Sequence, residues 1–210
     1  MRPSSSLVRW LCALAVALPT AAIVAHGSSA DRVSTGRETP GPWCGGALWR
    51  QMALSDPQRG KVDFRPLPTS IAKISKLVPP RTARAIRATP FQLRSWSVPA
   101  VVDRYRIASN GEIVLILYSI DSAQYMDAYI ANPHCLGPRS RGRADMIAAR
   151  KAFTSHCPHA TAQWQLLGAT IELTGVGFWN PNKNTRGALP NGAELRPLTS
   201  VKIVNGCGNP

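Results

Sequence analysis

Val98-Pro99-Ala100-Val101-Val102-Asp103-Arg104-Tyr105-Arg106-Ile107, followed by Ser109-Asn110-Gly111 and then Glu112-Ile113-Val114-Leu115-Ile116-Leu117-Tyr118-Ser119, is the stretch whose reading decides the fold. The first arm alternates apolar and polar residues as a half-buried strand does, with Pro99 near its start, where a strand tolerates proline. Asn-Gly supplies the positive φ that a tight hairpin turn requires. The second arm holds five consecutive aliphatic residues, which predicts burial on both faces. Two antiparallel strands joined by a short turn follow.

Downstream, Gln124 to Ala131 reads as a third strand, ending at Asn132-Pro133. A helix is predicted from Arg143 to His156, because Met146, Ala149, Arg150 and Phe153 fall at i, i+3, i+4 and i+7. Pro158 stops it. Leu166 to Trp179 returns to strand character, with Gly175 and Gly177 as expected bend or bulge points. The polar loop Asn180–Asn191 precedes a last strand, Ala193 to Val204. The order strand, strand, strand, helix, strand, strand is that of a mainly β (α+β) OB-like five-stranded barrel. Its one helix lies between strands three and four.

Upstream, residues 1–30 have the three parts of an export signal. Arg2 and Arg9 make the basic start, Leu11 to Ala25 the apolar run, and Ser28-Ser29-Ala30 the small residues before a cut ahead of Asp31. The run is shorter than the roughly 20 apolar residues of a membrane span and contains Pro19. Cys12 has no small residue before it, which argues against a lipid anchor. Residues 31–95 are expected to be a flexible leader and a short helical N-terminal segment. In that segment Thr69 caps a helix bearing Ile71, Ile74, Leu77 and Val78, and Pro79-Pro80 ends it. The arginine-bearing stretch Arg81–Arg94 is expected along the surface. The barrel then occupies 96–210. These boundaries predict a secreted or periplasmic protein without stable membrane insertion once the leader is cut.

Removing the leader and its two arginines takes the net charge from +14 to +12, which favours contact with polyanions. Four cysteines remain. In an exported chain they predict two disulfides, and the favoured pairs are Cys135–Cys157, bracketing the helix, and Cys44–Cys207, stapling the ends. His134-Cys135 and His156-Cys157-Pro158-His159 carry zinc-type donors. Oxidation turns those sulfurs into crosslinks, so neither a metal, a cofactor nor a Cys–His nucleophile is expected.

Acids are few. Glu172 and Glu194 lie in strands and are the candidate catalytic pair, but Glu172, between Ile171 and Leu173, is expected to face solvent. An enzyme is therefore the weaker reading, with a secreted hydrolase as its form. Binding is the stronger one, through basic residues interleaved with rings. The residues expected to carry it are Arg104, Arg106, Trp179, Lys183, Arg186 and Arg196, with Asn180–Gly187 as the functional loop. The expected partner is an anionic polymer, nucleic acid or polysaccharide. An envelope protein, held by an interaction or inhibitor module, is the alternative.

Several short segments also carry a resemblance. They are Met52–Asp56, Pro66–Leu77, Asn110–Ser119, Asn132-Pro133-His134-Cys135, Ala149–Phe153, Gly175-Val176-Gly177-Phe178-Trp179 and Pro190-Asn191-Gly192-Ala193-Glu194-Leu195-Arg196-Pro197. Together they resemble a group of exported bacterial proteins of uncharacterised function. In that group the second strand is acidic and contains histidine, and a histidine precedes the proline of the Glu-Leu-x-Pro motif. Here the equivalent positions hold Glu112, with no histidine nearby, and Arg196. The departure argues against metal or acid–base chemistry there. The resemblance implies export and a compact β-rich fold, and no activity.

Overall fold

The computed structural model describes residues 44–45, 48–82 and 86–207. The expected export signal, Cys12 and most of the expected leader lie outside the described residues. Among the described residues, no helix is long and apolar enough to cross a membrane.

Six strands form one mainly β sheet with a few helices around it. They are β1 (Asp63–Pro68), β2 (Arg94–Ile107), β3 (Ile113–Ser119), β4 (Gln124–Ile130), β5 (Gln165–Trp179) and β6 (Ala193–Asn205). The helices are α1 (Trp49–Met52), α2 (Ile71–Ile74) and α3 (Arg143–Thr154). Neighbours run β1-β2-β3-β4-β6-β5, and β5 also pairs antiparallel with β2. All pairings are antiparallel except β1 with β2 and the single Ala128–Leu195 bridge of β4 with β6.

The hairpin forms as its sequence dictates. Gly111 takes φ +76°, and Ile113 through Leu117 are all buried. Alternation places Val98 and Val102 of β2 inside, and a register shift between Val102 and Arg104 brings Tyr105 to the same side, with Leu115, Leu117, Met126, Ile130, Leu173 and Leu195. Helix α3 inserts Ala149 and Phe153 into this core, and Phe153 meets the Tyr105 ring edge-on at 5.6 Å. Burying side chains of this size is worth about 1.5–3 kcal/mol each. Arg150, on the flank of the same helix face, donates to the carbonyls of Gly111 and Ala131 at 2.9 and 3.1 Å. It thereby ties α3 to the hairpin turn and to the end of β4.

Four details differ from expectation. Residues 48–95 pack onto the sheet: β1 pairs with β2, Ile71 and Ile74 join the core, and the expected boundary at 95/96 falls inside β2. The helical segment expected from Pro66 instead begins with β1, where Pro66 and Pro68 sit in an edge strand that needs few ladder donors, and the helix starts only at Ile71. The cap of α2 is Ser70, whose hydroxyl accepts from the Lys73 N–H at 3.3 Å. Arg87, expected at the surface, is buried against Asp56 at 2.8 Å and donates to the carbonyls of Gln51 and Gln92.

Two disulfides are present, and both pairings correct the expected ones. Cys44 joins Cys135, and Cys157 joins Cys207. The reason lies in α3. Its twelve residues carry the chain about 18 Å from the Cys135 side to Cys157, beyond the roughly 7 Å between α-carbons that a disulfide bridges. The far end of α3 instead meets the end of β6, where Cys157 and Cys207 have α-carbons 4.7 Å apart.

Candidate functional site

The outer face of β2, β3 and β4 is organised in rows by strand register. Arg106, Val114 and Tyr129 form one row, and Arg104, Ile116 and Asp127 the next. Tyr118 and Tyr125 form a third, with ring centroids 5.0 Å apart. Strand β6 extends the first two rows with Arg196 and Glu194, on either side of the Ala128–Leu195 bridge. The loop Asn180–Asn191 folds back over this face. The Thr185 hydroxyl donates to Asp127 at 2.6 Å, while Asn191 donates to three carbonyls of the α2 segment at 2.9–3.1 Å. Gly187 crosses directly above Asp127 and Ile116, so close that any β-carbon there would collide with the carboxylate.

Between this loop and the hairpin turn lies a cleft of about 590 Å³. Arg106, Trp164 and Arg186 stand around it with Asn110 and Asn184, while Glu112, Asp127, Tyr129 and Arg196 are deeper. The Arg106 guanidinium lies 4.8 Å from the centre of the Trp164 ring. Among the described residues its Nε is buried without a hydrogen-bond partner. Among the described residues Arg186 makes no ion pair and is exposed.

The floor is a buried charged cluster. Arg196 donates to both Glu112 oxygens, through Nε at 3.1 Å and through Nη2, and its guanidinium lies 4.2 Å over the Tyr129 ring. Glu112 also accepts from Asn110 at 2.6 Å. Glu194 accepts from Asn180 at 2.9 Å through Oε2, while its Oε1 lacks a hydrogen bond and sits 3.6 Å from Arg196. Burial lifts the Asp127 carboxyl above the ordinary range, against the lowering hydrogen bonds from Thr185 and Gly187. Burial likewise raises the Tyr129 phenol. For Arg196, burial acts downward, but the Glu112 and Glu194 carboxylates outweigh it and the guanidinium is held up. Burial drives Glu194 from an ordinary 4.5 to about 8, with Arg196 and Asn180 pulling the other way.

That last shift fixes a pH dependence. Between the unfolded and folded values the native state holds a proton that the unfolded chain has released. The contribution is therefore complete below about 4.5 and is lost as pH rises through about 8. The slope is at most about 1.4 kcal/mol per pH unit. Glu194→Gln keeps an acceptor for Asn180 and cannot ionise. Urea unfolding from acid to mildly alkaline pH should show a steeper stability decline in the wild type than in this variant, which keeps the contribution of Asp127. Equal slopes in the two proteins would contradict the assignment.

Of the residues expected to bind, Arg106, Arg186 and Arg196 line the cleft. Arg104 lies one row along, paired with Asp103 at 3.0 Å, and Lys183 is exposed on the loop with its stem over Gly192. Trp179 is a correction. It is 3% exposed, packs on Phe91 at 4.9 Å and donates its indole N–H to Thr89, so neither face is open for stacking. Trp164 offers the ring instead. Glu172 faces outward near Lys202, whereas Glu194 is buried, so the two do not form a pair.

Clustering of Glu112, Asp127 and Glu194 escaped the sequence reading, as did the pairing of Glu112 with Arg196. Chemically, the cleft presents donors. The carboxylate oxygens are already engaged by Arg196, Asn110, Thr185, Gly187 and Asn180, or lie beneath the lining. Among the described residues no group of three or more His, Cys, Asp or Glu is placed to hold a metal ion. All four cysteines described are in disulfides.

No family model matches the chain, and no curated protein matches it. Among solved structures it is similar to Entamoeba histolytica asparaginyl-tRNA synthetase, at 14% identity and a TM-score of 0.33. The alignment covers 58% of this chain and 23% of that one, so the chain spans under a quarter of that enzyme's length.

Proposed function

We propose that this chain is an exported binding module whose β2–β6 portion is an OB-like five-stranded barrel, and that its cleft takes an anionic ligand. The fold reading is supported by the pairing circuit β2-β3-β4-β6-β5 and back to β2, with α3 between β4 and β5. Such barrels use the face of their second and third strands, with the loops joining strands one to two and four to five. Here those parts are β3 and β4, the Ser109–Gly111 turn and the Asn180–Asn191 loop, and together they wall the cleft. The export reading is supported by the N-terminal sequence and by two disulfides, which persist in oxidising compartments.

One observation carries the ligand class. Among the described residues, Arg106 and Arg186 stand at the cleft without acidic partners. Two unpaired guanidinium groups at one cleft favour an anionic ligand, with which they make charge-assisted hydrogen bonds. The engaged carboxylates of the floor support recognition without chemistry.

The test is fluorescence anisotropy of the purified mature protein with single-stranded DNA and with a sulfated glycan, across salt. Affinity should fall as salt rises, because neutralised charges release counterions. Arg186→Ala should weaken binding and reduce the salt slope by about one. An envelope-protein partner would instead appear as salt-insensitive co-purification. Absence of binding to both polymers at low salt refutes the anionic-ligand reading.

A further inference from the structure

A second hollow of about 210 Å³ adjoins the cleft on the same face. Asp103, Arg104, Ile116, Tyr125 and Arg186 line it. Arg186 is common to both, because its loop crosses the Ile116–Asp127 row and stands as a saddle between them. Each side of the saddle repeats one composition, a ring beside an arginine. On the cleft side these are Trp164 and Arg106, in contact at 4.8 Å. On the other side they are Arg104, paired with Asp103 at 3.0 Å, and Tyr125, which is 43% exposed with its ring centroid 5.0 Å from that of Tyr118 beside it. Rows along a strand are two residues apart, about 6.6 Å, so the row of Arg106 and that of Tyr125 are separated by about 13 Å.

We infer that the cleft and this hollow are two subsites of one track, joined by Arg186, that takes a single-stranded nucleic acid. The inference rests on the anionic-ligand reading and adds the polymer class and the path. Rings alternating with guanidinium groups suit a chain that alternates flat bases with phosphates. A sulfated glycan offers the anions but no aromatic face for Trp164 and Tyr125. The side-chain amide of Asn184, on the cleft wall, can meet a base edge, while Arg106 and Arg186 follow the backbone and Arg104 stays paired with Asp103.

The experiment uses the full mature protein and labelled oligothymidylates of about two and about eight nucleotides, the longer within the usual site size for one such barrel. The long oligomer should bind more tightly than the short one. Tyr125→Ala should weaken the long oligomer roughly 5- to 100-fold, the loss of one stacked base, and leave the short one unchanged. Arg186→Ala should weaken both. The thermal midpoint of Tyr125→Ala, a surface change, should match the wild type, which separates lost binding from lost folding. Equal affinity of wild type and Tyr125→Ala for the long oligomer overturns the two-subsite track. Binding of a heparin fragment, sensitive to Arg186→Ala, with no binding of either oligomer, overturns the nucleic-acid assignment and leaves the anionic-ligand reading standing. Silence toward all three probes defeats both.

Discussion

Arg196→Met is expected to lower unfolding stability by about 3–5 kcal/mol, the usual cost of removing one partner from a buried ion pair. Glu112 is 1% exposed at its side chain and Arg196 9%, so water cannot replace the lost guanidinium. The methionine would keep most of the volume over Tyr129, so cavity formation adds little. What remains is a carboxylate stripped of its Arg196 bonds, with Glu194 left beside it. The double variant Glu112→Leu/Arg196→Met should regain much of the loss, since apolar replacements of buried pairs are often neutral or better. By contrast, Arg65→Ala removes an ion pair with Asp63 in which the arginine side chain is 92% exposed, and the denaturation midpoint should stay where it is. Urea titrations of the four proteins decide it. An Arg196→Met protein as stable as the wild type would mean that the cluster is hydrated and the floor of the cleft is open.

Removing the disulfides should have the second large effect. Cys44–Cys135 closes a loop of 91 residues and Cys157–Cys207 one of 50. In the chain-entropy account each crosslink then contributes about 4–5 kcal/mol by restricting the unfolded chain. Against a typical total of about 5–15 kcal/mol, losing both leaves a domain near the edge of unfolding. Alanine pairs at each bridge should lower the midpoint singly and strongly in combination. Proteolysis without reduction, followed by mass spectrometry, should recover the peptide of Cys44 linked to that of Cys135, and Cys157 linked to Cys207. A Cys135–Cys157 peptide, or four free thiols, would contradict the packing of α3 against β6.

Much of the fold was readable because its signals are local. Alternation in Val98–Ile107, the aliphatic run Ile113–Leu117 and the Asn-Gly turn each constrain only neighbours in the chain. The spacing of Met146, Ala149 and Phe153 does the same for α3. Strand β1 was not readable, since a six-residue edge strand with two prolines has no periodic signal and exists through its pairing with β2. The disulfide pairing was hidden for a related reason. Spacing along the chain shows which cysteines are close in sequence, while their pairing depends on which element ends meet.

The site was legible in part. Arg106, Arg186, Arg196 and the Asn180–Gly187 loop stood out by charge and polarity, and the structure brings them to one cleft. Trp179 misled because the register shifts around Gly175 and Gly177 break the alternation of β5, so Phe178 and Trp179 are both buried. The floor cluster could not be found by spacing, since Glu112 ends the hairpin turn before β3, Asp127 is on β4 and Glu194 on β6.

Titration of the isotope-labelled protein with a short single-stranded DNA, followed through backbone amides and tryptophan indole N–H signals, tests the binding site most directly. Shifts should be confined to the cleft: the Trp164 indole, the Thr185–Gly187 amides and the Ser109–Gly111 turn, with the buried Trp179 indole unmoved. Shifts spread instead over exposed basic residues remote from it, such as Lys61, Arg65 and Lys73, would show that net charge alone attracts the ligand and that the cleft is not its site.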